Sequence, residues 1–367
     1  MASQNHPIQG VPSSNTGFIG SALSGPINQS VHITSFSEYE REFGGLGSES
    51  PMSYAVWHYF ENGGRHAYVV RAVKNPPQKK GVAGMIGFRE IQQGLKAFDK
   101  VDLLNLLCIP PFGFQLDVDL QTWKAALEYC TSRRAFLIVD APSIGEKEAV
   151  MRSIPASRNA AVFYPRLVMP DPRNGSSVGL FAPCGAVAGI FARTDTNFGV
   201  SKAPAGSHAT LIGTLGISAS ASDEDVDELG RLGINCIRYS PSHGLVIWSA
   251  RTLQGPDPFA SEWKYIPVRR TALYIEESIY RGLDWTASEP NDEPLWAQIS
   301  LNVGAFMQTI FQQGALQGTS ASQAYFVKCD KETTSQEDID NGLTNLLLGF
   351  APLRPAEFVM IKIRLER

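Results

Sequence analysis

Short apolar runs recur through the first two thirds of the chain, at residues 67–73, 103–109, 135–140 and 160–164, with helical patterns between them. Runs that stay apolar at nearly every position are strands buried on both faces, and their alternation with helices points to a mainly parallel, helix-covered sheet. The intervening segments supply those helices. Residues 36–43 form a short helix entered from Thr34 and Ser35, and residues 52–62 form another, closed by Gly63 and Gly64. Leu120, Trp123, Leu127 and Cys130 share one face of a third helix, and residues 185–194 make a fourth. Residues 17–20, 235–238 and 245–248 are further strands, and residues 76–81, rich in Pro and Lys, are a surface loop.

The pattern changes near Trp263. Residues 264–268 and a helical stretch at 270–280 open a second domain, as the 367-residue length leads one to expect. Its main helix begins at Asp292, Glu293 and Pro294, ends at Gly314, and buries Trp296, Ile299, Val303, Phe306 and Ile310. At the end of the sequence Val359, Ile361, Ile363 and Leu365 alternate with Met360, Lys362, Arg364 and Glu366, the pattern of a half-buried strand. Such a strand either closes its own domain or, as an open edge, pairs with another chain. The first fifteen residues, with Pro7, Gly10 and Pro12, form an extended arm. The expected organisation is an arm at 1–16, an α/β domain at 17–260 and a C-terminal α+β domain at 261–367.

Chemistry is hard to find. There is no phosphate-binding glycine loop and no dinucleotide fingerprint, and the six histidines lack metal-ligand spacing. No cofactor or metal is expected. Five dispersed cysteines without a C-x-x-C pair are expected to be reduced thiols. A net charge of -4 with scattered Lys and Arg gives no basic stripe for nucleic acid. No apolar run is long enough to insert in a membrane, and without a signal-like N-terminus synthesis is expected in the cytoplasm. Asp140, at the end of a strand, could be catalytic or a cap, and the order Asp140, His208, Ser320 imitates a subtilisin-type triad. Neither His208 nor Ser320 stands in a segment that would orient it, and geometry decides triads. Glu337, Asp338 and Asp340 make an acidic stretch that is either a solvated helix start or an electrostatic contact.

Several blocks together resemble the contractile tail sheath family. They are Phe18-Ile19-Gly20, Phe43-Gly44-Gly45, Phe60-Glu61-Asn62-Gly63-Gly64, Asn159 to Arg166, Lys202-Ala203-Pro204-Ala205-Gly206 and Trp263-Lys264-Tyr265. Glu289-Pro290-Asn291-Asp292-Glu293-Pro294-Leu295-Trp296, Phe326-Val327-Lys328-Cys329-Asp330 and Ile339-Asp340-Asn341-Gly342 continue the series. The resemblance implies a subtilisin-like sheath domain without a working triad, an α+β C-terminal domain and extended terminal arms. It implies a structural subunit, not an enzyme, polymerising as stacked hexameric rings into a helical sheath around an inner tube protein. Contraction would then drive the tube through a target envelope, with baseplate and tail-terminator proteins as further partners. The particle would be a phage tail or a released injection machine. Linking contacts would come from the strand Phe358, Val359, Met360, Ile361, Lys362, Ile363, Arg364 and Leu365, and from Pro7, Ile8 and Val11 of the arm. Family members commonly begin with a longer arm rich in Tyr, Pro, Gly and Val. Here the Gly17 block arrives after sixteen residues, which marks a shortened arm, a variant start or a specialised paralogue. The competing reading is an enzyme on a doubly wound α/β fold.

Overall fold

The computed structural model describes residues 6–73, 86–114, 116–142, 154–175, 177–256, 261–353 and 359–366. The loop expected at 76–81 and Phe358 of the terminal strand lie outside them. The described residues fall into two compact units. One comprises Pro12–Phe198 and Ala203–Pro267, the other Met1–Val11, Gly199–Lys202 and Val268–Arg367.

In the larger unit, strands β1 (Thr16–Gly20), β2 (Ser30–Ile33), β3 (Ala67–Arg71), β4 (Leu106–Cys108), β5 (Phe136–Asp140) and β6 (Ala160–Tyr164) come first. Strands β7 (Leu167–Pro170), β8 (Val178–Phe181) and β9 (Gly216–Ile217) form a small antiparallel sheet. β10 (Ile234–Ser240) and β11 (Gly244–Ile247) then return to the main sheet. Among the described residues that sheet has eight strands in the order β11-β10-β6-β5-β4-β1-β3-β2. From β10 to β3 every neighbouring pair is parallel; the two edge strands, β11 and β2, are antiparallel to their neighbours.

Both faces of the central strands β1, β3, β4, β5 and β6 are buried, which is why those strands are apolar at nearly every position, while the edge strands β2 and β11 are only partly covered. On one face Ile19, Leu137, Val139 and Val162 pack in a core with Trp123 and Leu127 of helix Leu120–Ser132 and Val226 and Leu229 of helix Asp223–Arg231. On the other, Phe18 meets Tyr59 edge-on, and Phe136 and Phe163 both meet Phe191. Tyr59 and Phe191 belong to two helices, Pro51–Glu61 and Cys184–Phe198, that approach backbone to backbone. A Cβ at Gly185 would overlap the Ala55 carbonyl, and one at Gly189 would lie 2.5 Å from the Tyr59 oxygen. Glycine is what permits that spacing.

The second unit carries helices Ile266–Gly282 (from Val268 on) and Glu293–Gln312 and the antiparallel sheet β12 (Tyr325–Lys328), β13 (Leu343–Phe350) and β14 (Val359–Glu366) in that order. Asp292 caps the second helix by accepting from the Leu295 amide at 3.1 Å, and the apolar stripe Trp296, Ile299, Val303, Phe306 and Ile310 is buried. The arm as far as Val11 belongs to this unit too. His6 stacks on Trp285 with centroids 4.5 Å apart, Ile8 packs on Gly282, and the Val11 amide donates to Ser278 Oγ at 3.2 Å.

Candidate assembly surfaces

The terminal strand has the alternation its sequence announces. Val359, Ile361, Ile363 and Leu365 are buried, while Met360, Lys362, Arg364 and Glu366 are exposed. Within the chain β14 pairs antiparallel with β13 along its whole length, from Val359 opposite Phe350 to Glu366 opposite Leu343. Among the described residues it is the outer strand, so one row of its backbone groups is paired and the other is open. On the exposed face, rows across the sheet bring Lys328 beside Leu347 and Lys362, and Phe326 beside Gly349 and Met360. The Phe326 ring covers Gly349, filling the space a side chain would take.

β13 is tied to the long helix by Asn291, whose role the sequence did not disclose. Its Oδ1 accepts from Trp296 Nε1 and Thr344 Oγ1, each at 2.8 Å, and its Nδ2 donates to the Leu343 carbonyl at 2.9 Å. The motif from Glu289 to Trp296 is therefore a joint between a helix start and a strand. A buried Trp three or four positions into a capped helix was the available signal, since its N–H needs an acceptor when buried.

Of the arm, Ile8 is buried, Pro7 is exposed and Val11 is half-buried. The acidic stretch starts a short helix, Gln336–Asp340. Asp338 closes a capping box, accepting from the Ser335 amide at 3.0 Å and its hydroxyl at 2.7 Å while Ser335 Oγ caps the Asp338 amide. These Ser335 bonds hold its carboxyl below the ordinary aspartate range. Asp340 accepts from Gln336 at 2.8 Å, and Glu337 points to solvent.

The groups that imitate a triad have other partners. Asp140, buried at the end of β5, accepts from the Cys184 amide at 2.8 Å, at the start of helix Cys184–Phe198. Burial pushes its carboxyl up to about 7 against the opposing pull of Cys184 and Arg166. His208 Nε2 donates to the Ala203 carbonyl at 2.8 Å, and its ring meets Phe198 edge-on. Ser320 Oγ is 3.1 Å from Ser322 Oγ at an exposed helix start in the other unit. All five cysteines are buried thiols. Among the described residues no group of three or more His, Cys, Asp or Glu side chains is placed to hold a metal ion, and no helix is long and apolar enough to cross a membrane.

Residues 260–366 match the family described as the phage tail sheath C-terminal domain. Across nearly its whole length the chain is similar to solved contractile-particle proteins. The first is from an extracellular contractile injection system, the PVC sheath complex in its contracted state: 26% identity, 99% of this chain and 94% of that one, TM-score 0.78. The second is from the six-fold symmetrised baseplate of the anti-feeding prophage: 26% identity, 100% and 97% coverage, TM-score 0.76. The third is the helical sheath of the anti-feeding prophage in its contracted state: 27% identity, 98% and 95% coverage, TM-score 0.75. No curated protein matches the chain by sequence.

Proposed function

We propose that the chain is a structural subunit of the contractile sheath family that polymerises around an inner tube and shortens to drive that tube through a target envelope. The observation that carries this reading is the likeness to a contracted injection-system sheath over 99% of the chain. Partial similarity confined to one domain would have left the α/β unit open to an enzymatic role, because a fold alone does not fix function.

The partners follow from that reading: copies of the same chain in stacked hexameric rings, a tube protein, and baseplate and terminator proteins. Assembly takes place in the cytoplasm, and the finished particle is a phage tail or a released injection machine. The subunit acts without catalysis, the carboxylate, imidazole and hydroxyl of Asp140, His208 and Ser320 each being bound in local structure. We assign the arm to residues 1–16, the sheath domain to 17–260 and the linking C-terminal domain to 261–367. Residues 358–365 form the link to a neighbouring subunit through β14, with Pro7, Ile8 and Val11 steadying the domain that carries it. Glu337 and Asp340 supply an electrostatic contact at the lattice; Asp338 serves mainly as a cap.

Negative-stain microscopy of the purified protein tests the reading directly. Tubes or ring stacks are expected. A population of dispersed single subunits at every salt concentration and protein concentration tried would refute polymerisation.

A further inference from the structure

At the edge of the main sheet, His32 of β2 and His66, just before β3, lie side by side. His32 Nε2 is 3.3 Å from His66 Nδ1, the rings are within 8° of parallel, and their centroids are 5.5 Å apart. The centroid separation nearly equals the nitrogen separation plus two ring radii, so the nitrogens face each other edge to edge. One must carry the proton and the other the lone pair. The arrangement accommodates two neutral imidazoles or one neutral and one charged, but two imidazolium rings would set N–H against N–H.

We propose that this imidazole pair is an acid-sensitive latch, holding edge strand β2 on the sheet at neutral pH and releasing it when both rings are protonated.

Position makes the contact matter. β2 is short, Ser30–Ile33, and pairs on one side only, with Ser30 opposite Val70 and Ile33 opposite Ala67. Its alternate residues Ser30 and His32 line a cavity of about 550 Å³ bounded by Lys100, Val101 and Asp102, so part of one side of the strand lacks close packing. Ile33 is its one fully buried side chain, and Val31 is half-buried. A strand so held belongs to the part of a fold that opens locally at low cost.

The charged and titratable groups around the pair come from every element packed on it. Tyr68 of β3 stands opposite His32 with ring centroids 4.8 Å apart, Glu38 lies on helix Phe36–Phe43, Lys100 and Asp102 line the cavity, and Arg65 precedes His66. Burial lowers the His32 value first and His66 lowers it further, with Glu38 partly opposing both. A histidine whose folded value is depressed binds fewer protons in the native state than in the unfolded one. The stability it contributes is full above the ordinary value near about 6.5 and is lost as pH falls through and below it. Acid therefore loosens the latch and alkali does not.

Hydrogen exchange on the full chain tests this, with rates corrected for the intrinsic pH dependence. In wild type the amides of β2 should lose at least about tenfold protection between pH 7.5 and pH 5.0. Those of β5, in the middle of the sheet, should change little over the same interval. His32→Gln and His66→Gln, each exposed enough to leave the core intact, remove the double charge and should abolish the acid-dependent loss. Equal β2 protection at both pH values in wild type, or an undiminished acid loss in both variants, would overturn the proposal.

Discussion

Replacing Asp140 with Asn should stabilise the larger unit at alkaline pH, although Asp140 is the carboxylate most easily mistaken for a catalytic one. Burial raises its carboxyl from 3.8 to about 7, and the Cys184 amide and Arg166 do not offset that desolvation. Between those values the native state binds more protons at this site than the unfolded chain does, so stability falls as pH rises from about 4 to about 7 and then levels off. A difference of about 3 between the two values, at about 1.4 kcal/mol each, is a cost of about 4 kcal/mol at pH 8 and above. Asparagine keeps an oxygen to accept from Cys184 and has no charge to bury. Urea unfolding at pH 5, 6, 7 and 8 should show the variant gaining on wild type steadily, by a few kcal/mol at the alkaline end. If Asp140→Asn is instead less stable than wild type at pH 8, the attraction of Arg166 and the Cys184 amide for the carboxylate outweighs its desolvation, and the argument fails.

Other substitutions probe the joints of the fold. Asn291→Leu strands the Trp296 N–H and the Thr344 hydroxyl without their acceptor, and should lower stability by about 2–4 kcal/mol in thermal or urea unfolding. Gly189→Val forces a side chain into the Tyr59 carbonyl and should destabilise by more than about 3 kcal/mol, whereas Gly199→Ala, with open space around its Cβ, should cost less than about 2 kcal/mol despite a φ of 84°. Ending the chain at Ala356 deletes four buried aliphatic side chains, each worth about 1.5–3 kcal/mol of burial. Microscopy should show that product failing to form sheath, while circular dichroism should show the α/β unit still folded; normal contractile tubes would refute the linking role. Reversing Glu337 and Asp340 to Lys should weaken assembly at low salt, and tubes with unchanged salt dependence would assign both residues to solvent.

The parallel core of the sheet was legible because burial on both faces leaves a local mark: residues 135–140 are apolar at nearly every position and pair on both sides in the fold. The long helix was legible for the same reason, its stripe having a single period. What was missed depends on partners distant in sequence. β7, on one side of residues 171–177, pairs with β8 on the other and with the distant β9; its buried positions, Leu167 and Met169, are only two, and Val178 and Leu180 of β8 are exposed, so the alternation was too short and too interrupted to announce these strands. Helix Asp223–Arg231 did carry a local signal, the Ser222 and Asp225 capping box, but its acidic first turn hides the two apolar contacts, Val226 and Leu229. The candidate surfaces were legible only in part. The alternation of β14 was visible in the chain, whereas the pairing partner of β14 and the three bonds of Asn291 are properties of the folded unit.

The pairing of β14 with β13 inside one chain does not compete with its proposed use as a link. The ladder from Val359 to Glu366 offers the same hydrogen bonds and the same four buried side chains to any copy of β13 it reaches. The choice between its own β13 and a neighbour's is therefore decided by effective concentration and by the reach of the connecting residues, not by contact energy. In an isolated subunit the chain's own β13 is always at hand. For β14 to exchange in the proposed lattice, a neighbour's β13 would have to be held at comparable local concentration. Exchanged in that way, β14 would make a joint able to survive rotation of whole domains, because the covalent chain would continue through it. The open second edge of β14 gives the same strand another way to join chains without giving up its own sheet. Both routes need the alternation of Val359, Ile361, Ile363 and Leu365 intact, so a charge at Ile361 should abolish sheath formation whichever route operates.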